Sequence, residues 1–412
     1  MIMHDLQLPT QQQLLFPLLQ VLEKNGPMRA CDAAEAVADR LEISSAARSL
    51  RVAMKGGQEV NVFQRKVRWV RQNAKLGGLL LDRERGIWEL AEPAANGLTM
   101  ARPGVVVNVA RDEFGSVLWA EAISAMGYLD DGVLSAIITS APYPLNRQRE
   151  YGGWGSDSYL ETILAHVDAM KPKLAATGSM VLNFGDCYMK GLPVLNTYQE
   201  ELVVELKRRG WFLCGKHQWA NPGKPKTTPY VTKDRTRVAA GVESFWWWAK
   251  TPHPASDNRR VLLPYSEKHK ATIAAGGEYR LGAATGARQS SPGLRYRADN
   301  GGKIPFNYTV CAHEGSGSAY MRHCKAQGLP FHPARMPMPL AEFFVKLTTA
   351  PGEIVFDPFG GSLTTAAACQ KLGRQFITSE KCLEYIRGGV FRLGAGVEGL
   401  AGLTAPSLLP TT

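Results

Sequence analysis

Residues 351–380, PGEIVFDPFGGSLTTAAACQKLGRQFITSE, admit few folds. Pro351 and Gly352 make a turn, and EIVF reads as a short buried strand closed by Asp357. PFGGS is a tight glycine loop, TTAAACQKLG is a small-residue helix that stops at Gly373, and QFITSE is a second strand ending in Glu380. A strand, a crossover helix and a second strand imply an α/β chain with a mostly parallel sheet. Glu380 stands 23 positions beyond Asp357. Glycines let backbone approach a ligand closely, and an acid about 20 residues past such a loop can accept ribose hydroxyls. A dinucleotide site carries G-x-G-x-x-G directly after the strand. Here the order is Asp-Pro-Phe-Gly-Gly-Ser, with Phe359 offering an apolar face to a purine and Asp357 placed to face a cationic amine. That set suits S-adenosylmethionine better than NAD. The expected cofactor residues are Asp357, Phe359, Gly360, Gly361, Ser362 and Glu380.

A second corner lies more than 200 residues upstream. VLSAII (133–138) is β-prone, and TSAPYPL (139–145) follows it. Pro142 and Pro144 forbid regular pairing or helix, so a strand ends there and Tyr143 sits on a stiff corner. In open α/β sheets the carboxyl ends of strands are where ligands bind. From about residue 116 onward strand and helix patterns alternate. SDSYLETILAHVDAMK (156–171) reads as a helix with the stripe Tyr159, Leu160, Ile163, Leu164, Val167 and Met170, and with Ser158 and Glu161 spaced for a capping box. SMVLNFGD (179–186) is the next strand.

Residues 8–97 read as a separate small unit. PTQQQLLFPLLQVLEKNG and RACDAAEAVADRLEI are two helices, the second with Asp32 as its expected cap. FQRKVRWVRQNAKLGGLL is a third, apolar at Phe63, Val67, Val70 and Ala74 and stopped by Gly77–Gly78. Its other face carries Arg65, Lys66, Arg68, Arg71 and Lys75. LLLDRERGIWELAEPA then reads as a two-strand wing. Three helices and a wing describe a winged helix, whose third helix commonly enters the major groove. The 48 Lys and Arg outnumber 37 acidic residues in a chain of 412, giving a net charge of +11. That excess favours a polyanionic partner, nucleic acid ahead of membrane. No bilayer-spanning stretch is apparent, and MIMHDLQLPTQQQ lacks the basic and apolar regions of a signal peptide. The seven cysteines are scattered without C-x-x-C pairs, which suggests free thiols in a reducing compartment and no zinc or other metal site. A cytoplasmic, nucleoid-associated protein is expected.

TSAPY followed by DPFGGS and GRQFITSE resembles the DNA methyltransferases that methylate exocyclic amines, in the permuted order where the catalytic half precedes the cofactor half. The resemblance runs from about 116 to 393 and includes NFGDCYMKG (183–191), HQWANPGKPKTTP (217–229), SFWWWAKTPHP (244–254) and HPARMPMPLAEFFVKL (332–347). The N-terminal unit resembles the N-terminal domain of Mrr-like restriction-system proteins, through PLLQVL, VFQRKVRWVRQNAKLGGLL and RGIWEL. The resemblance implies a Rossmann-like S-adenosylmethionine-dependent methyltransferase sheet with an N-terminal winged helix (1–97), a linker (98–115) and a methyltransferase domain (116–393). That domain divides into a catalytic half (116–191), a target-recognition region (about 192–330) and a cofactor half (331–393), and 394–412 is a tail. Thr139 and His332 join the cofactor set on this resemblance. Ser-Pro-Pro-Tyr usually marks N4-cytosine enzymes and Asp-Pro-Pro-Tyr N6-adenine enzymes, so Ser140 favours cytosine, with adenine as the alternative.

The chemistry then follows. A flipped base presents its amine to Ser140 Oγ and the Ala141 carbonyl, while Tyr143 stacks on the ring. Pro142 stiffens the corner. Two departures stand out: the family usually has Pro where Ala141 stands, and many relatives have Gly where Leu363 stands, a residue placed to crowd the cofactor loop. They leave a degenerate DNA-binding protein as a further alternative. Arg65, Arg68, Arg71, Arg235, Arg237, Arg259 and Arg260 are the expected DNA contacts. Residues 268–302 read as a mobile DNA-facing segment, and Trp246–Trp248 as strand core. Double-stranded DNA is the implied partner, a cognate restriction endonuclease the implied companion, and monomer and dimer both stay open.

Overall fold

The computed structural model describes residues 8–9, 11–53, 58–76, 79–81, 84–91, 98–144, 154, 158–224, 226, 228–280, 283–285, 288–290, 293–313 and 317–394. Its N-terminal unit runs α1 (Gln11–Asn25), β1 (Met28–Arg29), α2 (Ala30–Arg40), α3 (Ser45–Ser49), β2 (Arg51–Ala53), β3 (Glu59–Asn61), α4 (Val62–Leu76), β4 (Leu80–Leu81) and β5 (Ile87–Leu90). The apolar stripe of α4, Phe63, Val67, Val70 and Ala74, is buried as its 3.6-residue spacing requires. Asn61 starts that helix by accepting the Gln64 amide at 2.9 Å. A small antiparallel sheet, β1-β5-β4, forms the wing. Two features differ from the sequence reading. The short helix α3 and the β2–β3 hairpin intervene before α4. Asp32 is not the cap of α2: Arg29 precedes the helix without a side-chain cap, and Asp32 sits in its first turn, where a negative charge favours the helix dipole. The expected stop at Gly77–Gly78 and the tail after Gly394 lie outside the described residues.

Nine strands make the main sheet: β6 (Val106–Arg111), β7 (Gly115–Ala120), β8 (Leu134–Ser140), β9 (Leu174–Gly185), β10 (Phe212–Ala220), β11 (Val242–Ala249), β16 (Tyr308–Val310), β17 (Ile354–Asp357) and β18 (Gln375–Glu380). Their order is β16-β10-β11-β9-β8-β17-β18-β7-β6. The central run from β9 to β7 is parallel, so Gly185, Ser140, Asp357, Glu380 and Ala120 all end at one edge. β6 and β11 are antiparallel to their neighbours. The expected linker is therefore largely built into the domain. VVNVAR pairs with β7 through a turn in which Asp112 Oδ1 accepts the amides of Phe114 and Gly115 at 2.8 Å each. Residues 99–101 bind back on the chain just after β18: Ala101 N donates to the Lys381 carbonyl at 2.7 Å, and Leu383 N to the Thr99 carbonyl at 3.0 Å.

Strand alternation sends Ile137, Met180, Leu182 and Phe356 to one face, under α5 (Ala122–Gly127), α6 (Tyr159–Lys173) and α7 (Tyr198–Arg208). Ala136, Ile138, Val181 and Val355 face the other way, under α11 (Met338–Thr348), α12 (Thr364–Lys371) and α13 (Leu383–Gly389). On α6, Tyr159, Ile163, Leu164, Val167 and Met170 are buried and Leu160 is partly so. Each such aliphatic side chain contributes roughly 1.5–3 kcal/mol of burial. Ser158 stands at the N-cap but makes no side-chain cap, so the capping box does not form. Its carbonyl instead accepts the Thr162 hydroxyl at 2.8 Å.

Between β9 and β17 lie α8 (Pro229–Thr232), α9 (Glu267–Ala274), the nested hairpins β12 (Glu278–Arg280) with β15 (Gly293–Arg295) and β13 (Ala283–Thr285) with β14 (Arg288–Ser290), and α10 (Ala319–Ala326). Within residues 268–302, expected to face DNA, the described residues hold most of α9 and the paired strands of these two hairpins. Trp246 and Trp248 are buried in β11, and Trp247 is half-buried with its indole N–H on Ser179 Oγ at 2.9 Å.

Candidate active site

The two corners meet. Ser140, Ala141, Pro142 and Tyr143 from the end of β8 and Phe359 and Glu380 from the ends of β17 and β18 line one cavity of about 420 Å³. That is the size of a small-molecule site.

At the first corner the turn is fixed from both sides. The Pro142 carbonyl accepts the buried Tyr159 hydroxyl at 2.9 Å. Ser140 Oγ donates to Asn183 Oδ1 at 3.0 Å. With its proton so engaged, the serine oxygen presents lone pairs to a ligand. The Tyr143 hydroxyl lies 2.9 Å from Asn183 Oδ1 and 2.7 Å from Glu243 Oε2. It has one proton to give, and the carboxylate is the stronger acceptor. Burial, then the Glu243 charge, hold the Tyr143 hydroxyl well above its ordinary titration range, so it stays a donor.

At the second corner Glu380 is held by its own loop. Its Oε2 accepts the Gly361 amide at 2.9 Å and its Oε1 the Cys382 amide at 2.8 Å. Burial raises its pKa while these amides oppose the rise. Each oxygen retains a lone pair for a hydroxyl. Close approach requires glycine at 360, and a φ of 50° favours it at 361. A Cβ on Gly360 would stand 2.3 Å from Thr378 Oγ1, and one on Gly361 would stand 3.2 Å from the His332 ring. His332 lines the cavity, with its ring edge-on to Tyr385 at 4.8 Å, and burial lowers its pKa to about 4. Ser362 is buried beside Thr364, with the hydroxyls 3.2 Å apart.

Several expected residues act elsewhere than foreseen. Thr139 and Asp357 lie beneath the cavity, not on its wall. Asp357 Oδ1 accepts the Thr139 hydroxyl at 2.6 Å and the Phe359 amide at 3.1 Å, bracing the loop that carries Phe359. Burial raises the Asp357 pKa against those bonds. Leu363 does not crowd the cavity. It takes the left-handed conformation (φ 59°, ψ 31°), and its side chain is 0% exposed, beside Gly389 and Gly360. Arg259 and Arg260 lie away from the cavity. Ala255 N bonds the Thr177 carbonyl and Asp257 N the Leu347 carbonyl, which places this segment at the amino-terminal edge of the sheet, opposite the cavity. Asp257 also grips Arg259 through three contacts of 2.8–3.1 Å. Arg235 and Arg237 are exposed in the loop before β11, on the cavity's side, with Arg237 Nε on the Pro193 carbonyl at 3.0 Å. Arg65 and Arg68 are exposed on α4, and Arg71 is half-buried.

Sequence reasoning missed part of the wall. Trp154, His166 and Phe359 form an aromatic cluster with ring centroids 4.6–5.6 Å apart. His166 Nδ1 bonds the Thr162 carbonyl at 2.7 Å, and burial lowers its pKa. Glu121, Ile123 and Lys381 complete the far end. Glu121 and Ile123 come from the junction of β7 and α5, Lys381 directly follows β18, and His166 comes from the middle of α6, so only the fold brings them to one wall. Among the described residues no group of three or more His, Cys, Asp or Glu is placed to share a metal ion, and no helix is long and apolar enough to cross a membrane.

Comparison with known proteins agrees with this architecture. The DNA methylase family profile matches residues 134–390, and the Mrr N-terminal domain profile matches residues 12–99. The type II methyltransferase M.PvuII of Proteus hauseri is 34% identical over 280 residues, 68% of this chain and 83% of that protein. The type II methyltransferase M.SmaI of Serratia marcescens is 22% identical over 311 residues, 65% of this chain and 87% of that protein. The solved structure described as PvuII DNA methyltransferase (cytosine-N4-specific) superposes with a TM-score of 0.55 at 29% identity, covering 69% of this chain and 87% of that one. The sheet order, the two-cornered cavity and these matches place the chain in the DNA methylase family, with an Mrr-type N-terminal domain ahead of its catalytic sheet.

Proposed function

We propose that the protein transfers a methyl group from S-adenosylmethionine to the exocyclic N4 amine of a cytosine flipped out of duplex DNA. The observation that carries this reading is that Ser140 and Tyr143 share one cavity with Phe359 and Glu380. The cytosine-N4 specificity named for the PvuII enzyme, and Ser140 at the head of the corner, support cytosine over adenine.

The residues present fit the cofactor. Phe359, Trp154 and His166 supply an aromatic wall, Glu380 supplies carboxylate lone pairs for vicinal hydroxyls, and Gly361 holds that carboxylate through its amide. When bound, S-adenosylmethionine supplies an electrophilic methyl on sulfonium. The protein's own part is orientation. Ser140 Oγ, its proton held by Asn183, accepts one amine hydrogen, and the Ala141 carbonyl is placed to accept the other. Two acceptors on one nitrogen draw its lone pair out of conjugation and aim it. Tyr143 stacks on the base, with its ring fixed at the hydroxyl end. Positioning of this kind supplies much of the rate of an in-line transfer. The Ala141 departure leaves the carbonyl acceptor intact, and the Tyr159–Pro142 bond holds the turn that a second proline would have stiffened. Arg65 and Arg68 on α4, with Arg235 and Arg237 near the cavity, are the cations that would meet phosphates.

The test is tritiated methyl transfer to unmethylated duplex DNA, followed by digestion to nucleosides. Label in N4-methylcytosine is expected, and label only in N6-methyladenine would replace cytosine with adenine. DNA binding without any transfer would refute the enzyme reading.

A further inference from the structure

Glu243 lies at the start of β11, 100 residues beyond Tyr143, yet its side chain is 9% exposed and both carboxylate oxygens are paired. Oε2 holds the Tyr143 hydroxyl at 2.7 Å, and Oε1 holds Lys224 Nζ at 2.9 Å. Directly across the ladder from Glu243 is Gly185. A Cβ there would stand 2.8 Å from Tyr143 Cε2, so the ring is seated on bare backbone. Lys224 belongs to the loop after β10, held by Asn221: its amide bonds the Asn221 carbonyl at 3.2 Å, and Asn221 N bonds the Gly241 carbonyl at 2.8 Å. A buried carboxylate costs stability unless it is paired. This one is paired twice, once to the base-stacking residue and once to a cation of the target-recognition region.

We propose that Glu243, clamped by Lys224, is the positioning residue that sets the plane of Tyr143 and so ties base stacking to the placement of the 221–224 turn. The inference rests on the methyltransferase reading above, in which Tyr143 stacks on the flipped base. Glu243 does not line the cavity. It acts through the Tyr143 hydroxyl, which has no other carboxylate partner among the described residues.

Full-length protein is assayed for tritiated methyl transfer to unmethylated genomic DNA, as wild type, Glu243→Gln, Tyr143→Phe, the double variant and Lys224→Met. Losing a charge-assisted hydrogen bond lowers kcat by about tenfold in Glu243→Gln. KM for S-adenosylmethionine stays within twofold, because the cofactor corner is untouched. Once Tyr143→Phe has removed the hydroxyl, adding Glu243→Gln costs less than twofold more, and Lys224→Met alone costs about threefold. A purely structural role predicts a fall in thermal midpoint with kcat per folded molecule unchanged, and that result overturns the proposal. So does a double variant whose losses multiply. If Glu243→Gln fails to fold, Lys224→Met combined with Tyr143→Phe decides on the same rule. Wild type without any transfer to DNA refutes the underlying reading and takes the inference with it, whereas wild-type activity with a fully active Glu243→Gln refutes the inference alone.

Discussion

Replacing Leu363 with Gly opposes two effects whose sizes can be compared. Leu363 is a non-glycine residue at φ 59°, a conformation that costs an L-residue roughly 1–2 kcal/mol. Glycine would relieve that cost. The same side chain is wholly buried against the Ser362–Gly389 junction, and deleting a buried leucine costs about 2–5 kcal/mol. Burial outweighs strain, so Leu363→Gly loses about 1–3 kcal/mol net, by the difference of those ranges. The neighbour provides a check. A Cβ on Gly389 would lie 2.6 Å from Leu363 Cγ, so Gly389→Ala in the wild type overpacks the site at about 1–3 kcal/mol. In the Leu363→Gly background that cost falls, because the colliding side chain is gone while Ser362 C stays at 3.0 Å. Urea unfolding followed by tryptophan fluorescence reads all four proteins, and calorimetry reads cofactor affinity. Cofactor affinity should change little, since Leu363 does not reach the cavity. A Leu363→Gly protein as stable as wild type, or one that binds S-adenosylmethionine much more tightly, would refute the reasoning.

Three further outcomes are expected. Glu380→Ala strands the Gly361 and Cys382 amides and removes the hydroxyl acceptor, so calorimetry should show S-adenosylmethionine affinity weakened by about tenfold or more. Arg235→Ala with Arg237→Ala should reduce the slope of log K for DNA against log salt by about 2, while Arg259→Ala with Arg260→Ala leaves it unchanged. Acid should destabilise the fold early. Burial lowers both His217 and His332 to about 4, so the unfolded chain binds more protons below its ordinary histidine pKa near 6.5. Stability contributed by their neutral forms is then complete above about pH 6.5 and is lost progressively down to about 4. Thermal midpoints across that window test it, with His217→Gln reducing the slope.

The βαβ unit was legible because local chemistry dictates it: a glycine loop between two apolar runs has one sensible geometry, and its acid falls at strand end. The Thr139–Pro144 corner was legible because prolines act on their own backbone. What stayed hidden is set by register between distant strands. Asn183 and Glu243 reach Tyr143 only because β9 and β11 pair with Phe184 opposite Ser244. VVVNVARDEFG reads as linker by position, although its alternation and its Asp-initiated turn are those of the hairpin formed by β6 and β7. Charge alone says nothing of where Arg259 sits: only the fold shows its segment at the amino-terminal edge of the sheet, with Asp257 holding Nε and Nη2. The αL backbone of Leu363 leaves no trace in composition, since leucine ordinarily signals nothing about φ.

The central claim is that one cavity holds both the flipped cytosine and the methyl donor. A crystal structure of the full chain with duplex DNA and S-adenosylhomocysteine tests it most directly. The account predicts a cytosine lying on Tyr143 with its amine at Ser140, and the cofactor ribose on Glu380 within the same pocket. Cofactor bound away from Phe359 and Glu380, or a base still stacked in its duplex with Tyr143 unengaged, would contradict it.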